Sequence, residues 1–153
     1  CVAAFRARIK TNMLYKNITT EQKVALEIEF RNVMERLVNE IKHLCIPTAV
    51  WRSTGEFVYV NREFTQLTGW TLNQIVNGEA ALYDLISDED IANYLEKYSF
   101  VNTDPSVGGY ALQCTLRTPQ DTIIHGAFWI TIKRNLFSIP YMIVGNYLPN
   151  LWK

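Results

Sequence analysis

Cysteine is scarce in this chain, and Cys1, Cys45 and Cys114 are its three. They form no C-x-x-C pair and have no histidine at zinc spacing, which argues against a structural metal site. Scattered thiols of this kind read as reduced cysteines of an intracellular protein. No window approaches the run of about 20 apolar residues that a membrane-spanning helix needs, so no membrane association is expected. No signal peptide is visible, and a first residue of Cys rather than Met suggests a piece of a longer protein. The chain has no G-x-S-x-G, no glycine-rich phosphate loop and no metal-binding histidine pair. Asp88-Glu89-Asp90 resembles a catalytic carboxylate cluster, but acidic residues at a helix start explain it more simply. No constellation for catalysis remains, and the chain reads as a non-enzyme.

Charge of one sign is missing locally rather than overall. The formal net charge is zero, yet the first twenty residues hold Arg6, Arg8, Lys10 and Lys16 without a single acid. From Glu21 onward acids outnumber bases, so the folded part carries no concentrated basic face of the nucleic-acid-binding kind. Residues 1–18 read as a basic linker, with a short helix expected around Phe5 to Lys10. The Asn17-Ile18-Thr19 glycosylation pattern is too common by chance to carry weight.

What is present supports one compact domain plus an extension: 153 residues, 48% hydrophobic and 12% aromatic. Thr19 to Gln22 has the form of a capping box, predicting a helix that runs to about Cys45 and stops before Pro47. Phe30, Met34, Leu37, Ile41 and Leu44 are spaced four, three, four, three along it, a short heptad seam. Leu26, Val33 and Val38 widen the seam into a stripe. Such a helix packs on its own domain's sheet or forms a dimer seam, and the pattern leaves both open.

The most informative stretch runs from Pro47 to Trp70. Phe57-Val58-Tyr59-Val60 is β-branched and aromatic, and Thr54-Gly55 supplies a reversal before it. Asn61 stands at a helix N-cap, Phe64 and Leu67 share a helical face, and Gly69 takes the position that favours a left-handed residue. Thr71 caps a second short helix and Ser87 a longer one ending near Phe100. Three strand-like runs follow at Tyr110–Arg117, Ile123–Arg134 and Tyr141–Leu148. The order is β-β-α-α-α-β-β-β behind a front helix.

That order, with V-Y-V-N-R-E-F-T-Q-L-T-G-W, Y-D-L-I-S-D-E-D and three closing strands, resembles the PAS fold over roughly residues 46–149. The resemblance implies an α+β domain at 46–150. Its five-stranded antiparallel sheet would carry short helices on one face, with the helix of 19–45 outside the core. A closer likeness, through Phe5-Arg6-Ala7-Arg8, Cys45-Ile46-Pro47-Thr48 and V-W-R-S-T-G-E, is to the PAS region of fungal zinc-cluster transcription factors. The particular members are those that activate gluconeogenesis and growth on non-fermentable carbon. It implies a regulatory module of a nuclear activator that binds DNA, through a six-cysteine zinc cluster outside this chain. Other transcription-regulatory proteins are implied as partners. The competing readings are a sensory PAS domain of a signalling kinase or receptor, and a ligand-free structural dimerisation domain.

No cofactor is expected within this stretch. Flavin-binding relatives carry a reactive Cys in Asn-Cys-Arg, where this chain has Gly78-Glu79-Ala80-Ala81-Leu82. Haem-binding relatives commonly place a His on the long helix, which has none here. A small-molecule cavity, if the core is not filled solid by side chains, would be lined by Phe64, Leu67, Leu95, Leu112, Cys114, Phe128 and Ile130. The alternate residues of the strands, His125 and Trp129 with Trp51, predict a part-aromatic outer sheet face that needs a cover. The expectation is a homodimer built from that face and the front helix seam.

Overall fold

The computed structural model describes residues 18–78 and 80–150. Helix α1 (Thr20–Ile41) leads into strands β1 (Thr48–Arg52) and β2 (Phe57–Val60). Four short-to-medium helices follow: α2 (Arg62–Thr68), α3 (Leu72–Val76), α4 (Leu82–Leu85) and α5 (Asp88–Thr103). Strands β3 (Gly109–Arg117), β4 (Ile123–Arg134) and β5 (Pro140–Pro149) close the domain. The sheet has five strands in the order β2-β1-β5-β4-β3, each pair antiparallel. This is the PAS arrangement that the sequence resemblance implies. The expected helix around Phe5–Lys10 lies outside the described residues.

The helix ends follow the local chemistry. The Thr19 hydroxyl accepts from the Gln22 N–H while Gln22 Oε1 accepts from the Thr19 N–H, a complete capping box. Thr71 and Gln74 repeat it at α3. Gly69 closes α2 at φ 81°, a conformation that costs a residue with a Cβ. Helix α4 was not expected from the sequence; at four residues it is too short to show a period, and the Asp84 carboxylate accepts from the Ala81 N–H to start it.

Helix α1 ends at Ile41 rather than near Cys45. Leu44 therefore leaves the expected seam and stands 41% exposed in the loop before β1. The rest of the stripe packs on the helix's own sheet. Phe30, Leu37 and Ile41 are buried against Val50, Met142 and Val144, with Val33, Met34, Val58, Tyr59 and Tyr141 around them. The same chain supplies the cover for the β1-β2-β5 half of the outer face.

The inner face carries the main core, where Phe57, Val60, Phe64, Leu85 and Tyr94 meet Leu112, Phe128, Ile143 and Tyr147. Trp51 belongs to this core and not to the outer face: it is wholly buried among these residues. Plain alternation along β1 places it there: Ala49 and Trp51 face the inner cluster and Val50 the outer one, and Trp51 pairs with Ile143 of that inner cluster. A bulge in the β1–β2 pairing, with Val58 as the extra residue of β2, sets both Val58 and Tyr59 beside the outer cluster and returns Phe57 to the inner one.

The far edge of the sheet, β3, is covered by α5. The Asp90 carboxylate, already bonded to the Ser87 hydroxyl, accepts from the Thr115 N–H at 2.8 Å. Lys97 Nζ donates to the Ala111 carbonyl at 2.9 Å. Arg134 at the end of β4 donates to the Val101 and Asp104 carbonyls and to Ser138, tying the α5 C-terminus to the β4–β5 loop. Those cationic donors meet the negative end of the helix dipole.

Candidate functional site

Three places in the domain carry expected functional residues: the inner core, the joint at Asn61, and the outer face of the sheet. In the inner core the seven expected cavity residues do converge. Phe64, Leu112, Cys114, Phe128 and Ile130 are buried there, and Leu67 and Leu95 pack partly buried against them. Aromatic rings sit among them. Trp51 meets Phe57, Tyr94 and Phe128 edge-on at centroid distances of 6.0, 6.4 and 5.5 Å. Phe128 meets Tyr147 at 4.9 Å, and Tyr94 stacks on Tyr98 at 5.9 Å.

The polar atoms of these rings are mostly matched. The Trp51 indole N–H donates to the Tyr94 hydroxyl at 3.0 Å. The Tyr147 hydroxyl lies 3.0 and 2.9 Å from the carbonyls of Cys114 and Ile124. Burial holds the Tyr94 phenol well above its ordinary pKa, with Tyr110 adding to the effect. The Tyr110 hydroxyl is buried without a hydrogen-bond partner among the described residues. Sequence reasoning missed this tyrosine cluster of Tyr94, Tyr98 and Tyr110, although two of the three sit four apart on one helix, where side chains share a face.

Cys114 is part of the same core. Burial, then the nearby Asp90 carboxylate, pushes its thiol up to about 12. A protonated, enclosed thiol is a poor nucleophile, whereas Cys45 is exposed. A disulfide reagent at neutral pH should therefore modify Cys45 quickly and Cys114 only after denaturant is added. Rapid native labelling of Cys114, located by peptide mass mapping, would show that this core opens.

The joint is built on Asn61, which is buried at the α2 N-cap. Its Oδ1 accepts from the Phe64 N–H at 3.0 Å and from the Thr48 N–H at 2.9 Å. Its Nδ2 donates to the Ile46 carbonyl at 2.8 Å and reaches the Ile41 carbonyl at 3.5 Å. One side chain thus fastens the end of α1, the loop behind it, β1 and α2. The sequence pointed to the cap; nothing in it pointed to the other three contacts.

The outer face splits in two. The half at β1, β2 and β5 lies under α1. On the other half, strand register places Ala111, Trp129 and Asn146 in one row and Gln113, Ala127 and Leu148 in the next. His125 is exposed there beside Thr115. Trp129 is 51% exposed and Leu148 59%. These rows contain no carboxylate. His125 and Trp129 thus stand together as expected, without Trp51, and they stand apart from Phe30, Met34, Leu37 and Ile41. Among the described residues no group of three or more His, Cys, Asp or Glu is placed to hold a metal ion. No described helix is long and apolar enough to cross a membrane.

Residues 46–125, which include the Asn61 joint and strands β1, β2 and β3, match the model of the ERT1/acuK family PAS domain. The chain belongs to this family. It is 36% identical over 131 residues to a transcription activator of gluconeogenesis, ERT1, of Scheffersomyces stipitis, covering 84% of this chain and 23% of that protein. It is 33% identical over 135 residues to ERT1-2 of Yarrowia lipolytica, described in the same words, covering 88% of this chain and 24% of that one. The chain therefore spans about a quarter of the length of these ERT1 relatives. Among solved structures it resembles a PAS domain from a two-component sensor histidine kinase. The TM-score is 0.56 at 14% identity, over 83% of this chain and 99% of that one, a likeness of fold alone. The ERT1/acuK relatives are transcription activators by name, not enzymes.

Proposed function

We propose that this chain is the regulatory PAS module of a nuclear, DNA-binding activator of gluconeogenesis, and that it acts by pairing with a second copy across the uncovered half of its outer face. DNA contact and the zinc cluster belong to regions outside this chain. The observation that carries the pairing is the exposure of Trp129 and Leu148 on a sheet face with no carboxylate, beside a half that the chain's own helix already covers. A large half-exposed aromatic ring at the centre of a flat patch is a typical anchor of an interface. A patch without acids also meets its own copy without like-charge carboxylates opposed, which suits a two-fold contact. The helix seam expected to join the dimer is occupied within the chain, so the proposed contact is sheet to sheet.

Sedimentation of the 153-residue chain tests this. The wild-type chain should sediment as a dimer at tens of micromolar, and Trp129→Arg as a monomer with an unchanged thermal midpoint. A wild-type monomer throughout that range, or a Trp129→Arg dimer of equal strength, would overturn the pairing.

A further inference from the structure

Where the first turns of α1 pass the β1–β2 turn, they stand away from the sheet and leave a groove of about 410 Å³. Lys23, Leu26 and Glu27 form its α1 wall, Arg52 to Thr54 and Glu56 the opposite wall, and Phe30 and Tyr141 the floor, with Asn135 beside them. This volume falls in the range of small-molecule sites. It lies outside the sheet, on the opposite side from the tyrosine-filled core, and away from Trp129.

The charged lining is Lys23 and Arg52 with Glu27 and Glu56. The Arg52 guanidinium carbon lies over the Phe30 ring, 4.1 Å from its centroid, a cation–π contact that leaves N–H groups of the guanidinium for a ligand. Its bond to the Glu27 carboxylate is long, 3.4 Å, and both side chains are substantially exposed. An ion pair of this kind is weak and easily exchanged. Glu56 is engaged by the Thr54 hydroxyl. The Asn135 carbonyl oxygen accepts from the Phe137 and Ile139 N–H groups, leaving its NH₂ group as a donor. Lys23 has no ion pair among the described residues. Donors from Lys23, Arg52 and Asn135, with the hydroxyls of Ser53 and Tyr141, thus surround an aromatic floor; of the two acids, Glu27 holds Arg52 only loosely and Glu56 accepts from Thr54.

From this geometry we infer that the groove is a binding site for a small anionic metabolite rich in acceptor oxygens, a carboxylate or a phosphate ester, held by Arg52 and Lys23. A ligand there joins α1 to the β1–β2 turn and stiffens the attachment of the helix that leads into the domain. The site is independent of the pairing face, so the two readings fail separately.

Titration calorimetry on the 153-residue chain, with citrate and glucose 6-phosphate as separate probes at millimolar concentration, tests the assignment. At least one probe should bind, and the one that does identifies the head group as carboxylate or phosphate. Arg52→Gln should weaken binding by about tenfold or more, as loss of a charge-assisted contact does. Lys23→Gln, on an exposed turn, should weaken it without changing the fold. Glu27→Gln releases Arg52 and should tighten binding by about threefold, the scale of an exposed ion pair. Amide shifts should fall on residues 23–30 and 52–56. No binding of either probe, affinity indifferent to these substitutions, or shifts centred on Leu112 and Phe128 would overturn the site, whatever the oligomeric state.

Discussion

Asn61→Asp should remove about 3–5 kcal/mol of stability near neutral pH, the cost of an uncompensated buried charge. The side-chain shape is kept, and one carboxylate oxygen still accepts from the N–H groups of Thr48 and Phe64. The other replaces the NH₂ group that donates to Ile46 and Ile41, so a negative oxygen faces carbonyl oxygens. That arrangement favours the protonated form and raises the folded-state pKa of the introduced carboxyl. A group whose pKa is raised by folding is best tolerated below its unfolded value, and its penalty grows as pH rises through the folded one. Denaturant melts should therefore show a deficit that shrinks between about pH 7.5 and about pH 4.5, relative to wild type. A deficit below about 1 kcal/mol, or one independent of pH, would mean the four contacts do not act as a unit.

Trp51→Ala should cost a similar amount, about 3–5 kcal/mol, by opening a cavity in the centre of the core. The ring is fully buried between Phe57, Tyr94 and Phe128, and its outer edge fills the space over Gly145, where a Cβ would come within 2.5 Å. The substitution also takes the indole donor from the buried Tyr94 hydroxyl. Trp51→Phe separates the two effects: it keeps most of the packing and should lose about 1–2 kcal/mol, mainly the hydrogen bond. Indole added at millimolar concentration should raise the melting midpoint of Trp51→Ala and leave wild type unmoved, because an apolar engineered cavity takes up a matching ring. If alanine and phenylalanine variants melt alike, the ring contributes through its polar contact alone.

Much of this architecture was legible because it is local. Caps at Thr19, Asn61, Thr71 and Ser87 act over three residues, so residue type and spacing reveal them. Alternation marked β3 and β4 because one face of each is buried and the other is not. Strand β1 gave no such mark: Thr48, Ala49, Val50 and Trp51 are all buried, since α1 lies over one side and the core over the other. With both faces apolar, alternation cannot assign Trp51 to either. Leu44 failed for a related reason. A heptad can be counted past a helix end, but Asn61 meets the Ile41 carbonyl from twenty residues away. Long-range partners of that kind leave no spacing to read.

The covered edge at β3 has a consequence for assembly. Thr115 offers its N–H to Asp90 and Ala111 its carbonyl to Lys97, so an arriving strand finds those ladder positions already answered. Lateral growth of the sheet, the route by which exposed edges recruit further chains into filaments, is blocked on that side. A second copy pairing across Trp129, as proposed above, would add a layer to the sheet rather than a strand at this edge.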